Sequence, residues 1–467
     1  MLVPRQIEKS AFETKILTVL ADALEGGTNN FTYKKLFRFT LPSILMMIFM
    51  SVYMVVDGLF VSNLAGDIPF KAINLIMPFL MIVSTVGFML GSGGTAMVAN
   101  AYGEKDRKRA NRYFSLFVYA TILSSVVLSA LSITFIEPIV YLLGAREEIL
   151  SSCVVYARIL LLALPFATLQ YFFQSFFVAA EKPRLGLGVI VAAGCTNMVL
   201  DALLVGLLPP AYKLMGAAIA TAFSQLIGGG VPLLYFFFRN STPFRLGKTR
   251  FDLNALLRAC FNGSSEFMSN VSMSLVGMLY NLQLLRYAGD DGVAAYGVMM
   301  YVGMIFSSIF VGYSIGVAPI VSFHDGAKNH AEKKSLLKKS LAVIAIASGV
   351  MCLSALALSS PLSRLFVGYS EALTAMTQRG FSIFSISFLF MGLAIFGSSF
   401  FTALNDGLSS AIISFLRTLV SQLGAVLLLP LLFGGIDGIW WSVVVAELMA
   451  ALLTALFLKA NKKRFDY

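Results

Sequence analysis

Long apolar stretches recur along the whole chain, and they constrain its fold more than any other feature. A helix that crosses the hydrocarbon core of a bilayer needs about 20 consecutive apolar residues. We place twelve such spans, centred near Met47, Ile82, Leu123, Leu164, Val191, Gln225, Ser274, Met304, Ala345, Phe388, Val420 and Ala450. These stretches are too long and continuous for barrel strands. The sequence therefore predicts an all-α, polytopic membrane protein with twelve transmembrane helices.

The composition agrees with a membrane protein. Of the 467 residues, 58% are hydrophobic and only 13% are charged, and the mean hydropathy is +0.82, which no soluble domain needs to bury its core. The four cysteines lie in apolar context without metal or disulfide spacing. The polar leader, residues 1–30, has no signal-peptide cleavage pattern, so we interpret it as a cytoplasmic surface helix.

The positions of the basic residues predict the orientation of the chain. A net charge of +11 could suggest a nucleic-acid partner, but the charges follow alternate loops. One side carries the leader and the segments "GEKDRKRANR", "EKPR", "RNSTPFRLGKTRFD", "GAKNHAEKKSLLKK" and "KANKKRFDY". The other side carries single basic residues only. By the positive-inside rule both termini are expected in the cytoplasm, with the chain in the plasma membrane and without a nucleic-acid partner.

Several short segments of the first half recur in the second half at a constant offset. The "AGD" at 65–67 recurs at 288–290, and Gly93 and Gly103 before one basic run recur at the same offset as Gly316 and Gly326 before another. "QSFFVAAEKPRLG" at 174–186 recurs as "SSFFTALNDGLSS" at 398–410, shifted by a single further position. Because each half holds six spans, the halves keep the same orientation, as in transporters built from parallel repeats. The alternative is an old duplication without functional meaning.

The repeat predicts the domain organisation. Two pseudo-symmetric bundles of six helices form an N-lobe and a C-lobe, separated by a long basic linker. The predicted parts are the leader at 1–30, the N-lobe at 31–239, the cytoplasmic linker at 240–258, the C-lobe at 259–460 and a cytoplasmic tail at 461–467.

Five segments together resemble the multidrug and toxic compound extrusion (MATE) family, from about residue 31 onward. They are "VDGLFVSNLAG", "GSGGTAMVANAYGEKD", "NMVLD", "GAAIATAFSQ" and "FFTALNDG". The chain looks closest to the bacterial drug-exporter branch. This resemblance implies a V-shaped central cleft between the bundles and a transporter rather than an enzyme. It also implies export of varied, often cationic, organic compounds in exchange for protons or sodium.

The N-lobe carries acidic residues inside its apolar spans. Asp57 lies in the first span, where a charge at the bilayer centre costs about 2.5–3.5 kcal/mol and usually marks a substrate or ion path. Asn197 and Asp201 are spaced i,i+4 and so share one face of the fifth span. Two nearby buried carboxylates share a proton or hold a cation more readily than both ionise.

The resemblance assigns roles to these positions. Asp57, Asn197, Asp201 and Thr221 match the family's N-lobe cation and proton site, and Pro42 matches the proline where the first helix of some members bends. If sodium is the coupling ion, the same four residues would be its ligands, since a hard cation prefers oxygen; no other metal or cofactor is expected. Alternatively, Asn197 bonds a neighbouring helix, Thr221 bonds a backbone carbonyl and Pro42 marks a helix start.

The C-lobe departs from the family pattern. Asn270 stands in the seventh span where many relatives carry an acid, and Glu266 lies one turn earlier on the same helical face. Glu266 either contacts a cationic drug in the cleft or is solvated at the cytoplasmic entrance. Arg158, Arg417 and Glu447 also lie in or near apolar spans, and we expect them to snorkel or to form interhelical pairs.

The lining of the cleft is predicted from side-chain chemistry. Flexible methionines and aromatic rings adapt to varied ligands, although the same residue types fill any membrane core. The predicted substrate cleft contains Glu266, Asn270, Met50, Tyr53, Met54 and Phe173.

The sequence also bears on four other functions. An enzyme or an ATP-driven pump lacks support, because the chain has two histidines, no HExxH and no GxxxxGK[ST]. A channel lacks a repeated filter sequence. A flippase for a lipid-linked precursor, from the same wider superfamily, would be expected to place cationic residues in the cleft, whereas the candidate charges of the N-lobe are acidic. We therefore expect a monomeric transporter with a small organic substrate.

Overall fold

The computed structural model describes residues 31–60, 67–238 and 240–467, which form helices and connecting turns without a strand. The predicted leader lies outside the described residues. Helices α1 to α8 are Tyr33–Phe60, Asp67–Gly103, Arg107–Thr134, Ile136–Leu142, Glu147–Ala179, Pro183–Leu207, Lys213–Phe237 and Leu253–Asn262. Helices α9 to α16 are Ser264–Gly326, His330–Val367, Glu371–Ser385, Phe388–Ala403, Gly407–Phe415, Gln422–Phe433, Ile436–Ala460 and Lys462–Phe465. A 3-10 turn, Pro210–Tyr212, precedes α7, and a π-helical segment, Leu416–Ser421, joins α13 to α14.

The helices account for twelve membrane spans in the described part of the chain. Ten are long and apolar enough to cross a bilayer, and α11 with α12, bent by 47° at their junction, form an eleventh span. The 63 residues of α9 are two helices that meet at Gly289, where φ is +63° and the backbone is not helical. This helix therefore supplies two spans, α9a before Gly289 and α9b after it, as the hydropathy pattern predicts.

Each lobe packs around its own core. In the N-lobe, Phe114 and Phe172 belong to a cluster of buried aromatic rings near one end, and a second cluster near the other end includes Tyr156. In the C-lobe, Phe310 and Trp440 belong to one larger cluster. Because lipid tails are as apolar as these side chains, tight van der Waals packing holds the helices together more than the hydrophobic effect does.

The two lobes meet through reciprocal glycine contacts. A methyl group on Gly103 of α2 would overlap the carbonyl oxygen of Phe323 of α9b, and one on Gly326 of α9b would overlap the carbonyl oxygen of Asn100 of α2. Gly103 and Gly326 occupy equivalent positions of the sequence repeat, and so do Asn100 and Phe323. Each lobe thus contributes the same glycine and the same carbonyl position to the contact. A two-fold relation between the lobes produces reciprocal contacts of this kind.

The turns that follow these helices repeat in the same way. Lys105 and Lys328, which the same offset relates, both have left-handed backbone, with φ of 64° and 55°. Glu181 and Asn405, the matching positions of the second repeated segment, do so as well, with φ of 61° and 56°. A shared and uncommon backbone conformation at equivalent positions indicates that both lobes descend from one folding unit.

The contacts between the lobes gather at the end that carries the basic loops. Asn100 Nδ2 of α2 donates to Asp325 Oδ2 of α9b over 3.2 Å. Within the C-lobe, Lys333 Nζ also donates to Asp325 Oδ1 over 2.9 Å. Gly312 and Gly316 of α9b lie directly against α1 at Ile44 and Thr40. The lobes are thus closed against each other at the predicted cytoplasmic end.

The linker between the lobes follows α3. The Arg245 backbone N–H donates to Asn111 Oδ1 over 2.7 Å, and the Gly247 backbone N–H donates to Ser115 Oγ over 3.1 Å. Phe244 is fully buried in the N-lobe core. Helix α8 begins within the predicted linker and continues past its predicted end at residue 258, so the linker is held against the N-lobe before the C-lobe begins.

Candidate functional site

Two carboxylates of the N-lobe face each other across a close helix contact. Asp57, near the end of α1, faces Asn197 and Asp201 of α6, which are 2% and 0% exposed. Helices α1 and α6 approach closely because Gly194 has no side chain; a Cβ there would lie 2.6 Å from the ring of Phe49. The structure therefore brings together the three residues that the sequence singled out in the first and fifth spans.

Two further helices complete this group of side chains. Thr221 of α7 lies beside the hydroxyl of Tyr156 of α5, and Tyr156 also lies within electrostatic range of Asp57 and Asp201. Tyr156 is 1% exposed. The sequence alone does not point to this residue, because a tyrosine in an apolar stretch gives no polar signal. We call Asp57, Asn197, Asp201, Thr221 and Tyr156 the N-lobe polar cluster.

Several buried atoms of this cluster have no hydrogen-bond partner among the described residues. They are Asp57 Oδ1, Asn197 Oδ1 and Nδ2, Asp201 Oδ1 and Oδ2, and Thr221 Oγ1. Folded proteins pair nearly all buried polar atoms, since each unpaired one costs about 1–3 kcal/mol. Two carboxylates with an amide and a hydroxyl oxygen suit either a shared proton or a hard monovalent cation such as sodium. The residues present thus fit the coupling ion that the resemblance implies.

A cavity of about 110 Å³ adjoins the cluster inside the N-lobe. A single water needs about 10–15 Å³ on this measure, so the cavity can hold several waters or a hydrated ion. Its lining includes Asp57, Asn197, Thr221, Tyr53, Met54 and Gln225. Polar groups for an ion and adaptable apolar groups for an organic molecule therefore border the same space.

The other predicted cleft residues of the N-lobe lie apart from this cavity. Phe173 is fully buried and stacks on Phe236 with ring centroids 5.4 Å apart. Met50 is 6% exposed, and its sulfur accepts a hydrogen bond from Gln174 Nε2 over 3.2 Å. In this conformation Tyr53 and Met54 face the cavity, whereas Met50 and Phe173 pack within the lobe.

Pro42 lies inside α1 and not at its start. The helix begins at Tyr33 and continues through Pro42 to Phe60, so the interpretation of Pro42 as a helix start is wrong. Proline lacks a backbone N–H, so the carbonyl of Arg38 loses its usual helical partner there. This makes Pro42 a natural point for α1 to bend.

The C-lobe has a charged group of its own. Glu266 lies in the first turn of α9, is half-buried and lies within electrostatic range of Arg417. The Asn270 side chain donates to the Glu266 carbonyl oxygen over 2.8 Å. Arg417 in turn pairs with the buried Glu447 of α15, which confirms the predicted interhelical pair.

Arg417 stands in the π-helical segment Leu416–Ser421. Such segments are rare and are frequently found at functional sites, because the extra residue re-aims the side chains of its turn. The exposed Arg158 also pairs, with Glu137 on the short helix α4.

Comparison with known proteins assigns the family. The sequence profile described as MatE matches residues 42–203 and 267–427, so it matches once in each lobe, at nearly equivalent positions of the repeat. Among curated proteins, the chain is 24% identical over 444 residues to the multidrug export protein MepA of Staphylococcus saprophyticus, with 92% of this chain and 94% of that protein covered.

Solved structures share the fold. A MATE protein crystallised in complex with MaL6 aligns with a TM-score of 0.87 at 19% identity, covering 93% of this chain and 97% of that chain. A multidrug resistance MATE transporter in an outward-facing conformation aligns with the same TM-score and identity, covering 93% and 96%. The profile alone covers more than half of the chain. The chain therefore belongs to the MatE family, the multidrug and toxic compound extrusion transporters, and is a multi-pass membrane transporter and not an enzyme.

Proposed function

We propose that the protein exports amphipathic organic cations from the cytoplasm and drives export by the inward movement of H⁺ or Na⁺. It would work as a single chain in a bacterial plasma membrane, with both termini in the cytoplasm. The observation that carries this proposal is the N-lobe polar cluster, in which Asp57 and Asp201 face one another beside an internal cavity. The name of the staphylococcal relatives, multidrug export protein, supports the substrate class.

The coupling ion would act by changing the charge of the cluster. Two facing carboxylates in apolar surroundings repel each other, and one incoming proton or sodium ion relieves that repulsion. For sodium, Asn197 and Thr221 would add neutral oxygens, because both have buried oxygens without partners among the described residues. For a proton, the two carboxyl groups alone would suffice.

Helix α1 would carry the change to the drug. Binding of the ion reduces the charge on Asp57, and α1 could then bend at Pro42 and move Tyr53 and Met54, which line the cavity. That movement would shrink the cavity and release a bound cation toward the outside. An outward cation and an inward ion would thus compete for one region of negative charge, which is the requirement for exchange.

The C-lobe would contribute to substrate choice. Arg417 is committed to Glu447 by three hydrogen bonds, so the carboxylate of Glu266 remains available to an organic cation at the cleft. Asn270, one helical turn farther along, would offer a neutral polar contact. The three charged residues together carry one net negative charge, which favours monovalent cations.

The experiment compares two transport activities of the same protein. Cells that contain the protein should extrude ethidium when a proton or sodium gradient is imposed. Inverted membrane vesicles should accumulate it under the same gradients. Proteoliposomes should not move a fluorescent undecaprenyl pyrophosphate analogue between leaflets. Flipping of the lipid without ethidium transport would replace this proposal with the flippase alternative.

A further inference from the structure

A second cavity lies between the lobes at the predicted cytoplasmic end. It measures about 60 Å³, and its lining includes Phe31, Tyr102, Glu181, Phe244, Phe323 and His324. These residues come from the start of the described chain, α2, the turn between α5 and α6, the linker and α9b. None of the residues that line this cavity lines the N-lobe cavity. The space is therefore separate from the coupling site.

Aromatic rings form about half of the wall. Tyr102 meets the rings of Phe244 and Phe323 at centroid distances of 6.0 Å each. His324 meets Phe323 at 5.4 Å and Phe31 at 6.1 Å, both edge to face. Aromatic walls of this kind attract cations through the negative faces of the rings, and they do so best where water is excluded.

Two polar groups in this wall lack partners. His324 is 7% exposed, and its Nδ1 has no hydrogen-bond partner within the part of the chain that the structure describes. The side chain of the half-buried Glu181 forms no hydrogen bond or ion pair among those residues, although its charge acts on Tyr102. Burial raises the pKa of Glu181 to about 7, against the opposing effect of its neighbour Lys182.

The turn itself does not explain a glutamate at position 181. Glu181 has left-handed backbone with φ of 61°, and the equivalent turn of the C-lobe has Asn405 with φ of 56°. Asparagine is enriched in this conformation and glutamate is not. The turn therefore gives no reason for a glutamate at this position, and the residue lines the aromatic cavity.

We propose that this cavity binds the ammonium group of a small organic cation at the cytoplasmic face, between the two lobes. An ammonium N–H would donate to the Glu181 carboxylate and another to His324 Nδ1, while the rings of Tyr102 and Phe323 surround the charge. The size of the cavity suits a head group and not a whole drug. This inference rests on the proposed function only for the class of ligand.

Such a ligand would bridge the lobes. Glu181 belongs to the N-lobe and His324 to the C-lobe, so a cation held by both binds the closed cytoplasmic end better than an open one. Differential affinity for two states is what shifts their populations. Cytoplasmic cations at high concentration should therefore slow export by holding the protein closed on that side.

Proton binding should compete with the cation. The groups that face Glu181 are Tyr102 from α2, His324 from α9b and the adjacent Lys182, with Arg107 stacked 5.7 Å from the centre of the Tyr102 ring. Above pH about 7 the Glu181 carboxyl is charged and attracts the cation, and below it the carboxyl is neutral. Affinity should fall as the pH drops from 8 to 6.

Calorimetric titration of the purified full-length protein with benzylammonium tests the site. The wild type should bind one equivalent at pH 8. Glu181→Gln and Glu181→Asn should each weaken binding at least about tenfold, which is 1.4 kcal/mol. Glu181→Asn also keeps a residue that the left-handed turn accepts, so it guards against misfolding. The matched control is Glu104→Gln, because Glu104 is exposed and pairs with Arg109 in a neighbouring loop.

The titration either supports or overturns the proposed cation site. Unchanged affinity in Glu181→Asn, or no binding by the wild type, would overturn the inference. Loss of binding in Asp57→Asn would do so as well, because it would place the probe in the N-lobe cavity. If benzylammonium binds as expected and ethidium transport fails, the site stands and only the proposed export function falls.

Discussion

Arg417 holds Glu447 through a two-pronged contact inside the C-lobe: Nε lies 2.9 Å from Oε2, and Nη2 lies 3.0 Å from Oε1. The side chain of Glu447 is 1% exposed and that of Arg417 is 16% exposed. Paired geometry of this kind directs the guanidinium and also fixes the helices that carry it. The pair therefore links the π-helical segment to α15.

Breaking this pair should destabilise the protein more than breaking an exposed one. Glu447→Gln leaves the Arg417 guanidinium buried without its counter-charge, a loss of about 3–5 kcal/mol in comparable sites. The matched control is Arg158→Gln, whose pair with Glu137 is 51% and 66% exposed and should contribute only about 0.2–1 kcal/mol. Thermal unfolding in detergent measures both. Equal falls in the unfolding midpoint of the two variants would show that the buried pair stabilises the protein no more than the exposed pair does.

The glycine contacts between the lobes should respond symmetrically to substitution. Gly103→Ala and Gly326→Ala each place a methyl group on a backbone carbonyl oxygen of the other lobe, which cannot rotate away, so each should cost about 1–3 kcal/mol. Gly349→Ala on α10 is the control, because nothing lies within 4 Å of its Cβ position. Unfolding midpoints should fall in the first two variants and stay level in the third. A fall in only one of the pair would argue against the two-fold relation.

The basic loops predict the orientation of the chain in the membrane, and labelling of introduced cysteines can test it. Once the four native cysteines are replaced, cysteines introduced at Asp67 and Asp290 should react with an impermeant thiol reagent in intact cells, because both positions lie opposite the basic loops. A cysteine at Lys328, in a basic loop, should react only after the cells are opened. Protection at both acidic positions would reverse the predicted topology.

We expect a substitution of Glu266 to change the range of exported substrates more than it changes ion coupling. Glu266→Gln removes the negative charge that Arg417 leaves uncompensated, so export of cationic dyes should weaken while export of neutral substrates persists. Transport of ethidium and of a neutral dye, measured under one imposed gradient, gives the comparison. Loss of both to the same degree would assign Glu266 to coupling.

The sequence predicts the number of spans and the internal repeat because both are visible in hydropathy and in recurring segments. Neither pattern depends on how the side chains pack. Hydropathy finds spans whether a helix is straight or bent, and it therefore misses the bend between α11 and α12 and the π-helical segment. Those features depend on how neighbouring helices press on the backbone, which a one-dimensional pattern does not contain.

For the site, the sequence identifies the polar members of a cluster but not their apolar-looking neighbours. Asp57, Asn197 and Asp201 stand out because charge and amide groups are costly in a membrane span. Tyr156 does not stand out in this way. The sequence also does not show that Met54 faces the N-lobe cavity whereas Phe173 packs in the core. Which face of a helix meets a cavity is set by packing against several helices at once.

The role of Asp201 follows from its contact with Asp57. Asp201→Asn removes one of the two facing carboxylates, so the pair can no longer take up a proton or a sodium ion together. Most of the gradient-driven transport should be lost, while the protein still folds and binds a cationic dye. Transport at wild-type rates, measured on the same preparation as dye binding, would remove Asp201 from the coupling site.

Asp57 is the centre of this account, since it joins the ion site to the helix that bends. Asp57→Asn keeps the size of the side chain but no longer exchanges a charge. The deciding measurement is ethidium efflux in proteoliposomes under an imposed pH gradient and, separately, an imposed sodium gradient. We predict that Asp57→Asn folds, binds ethidium and shows no efflux driven by either gradient, whereas wild-type coupling in this variant would mean that the carboxylate is structural and would contradict the account.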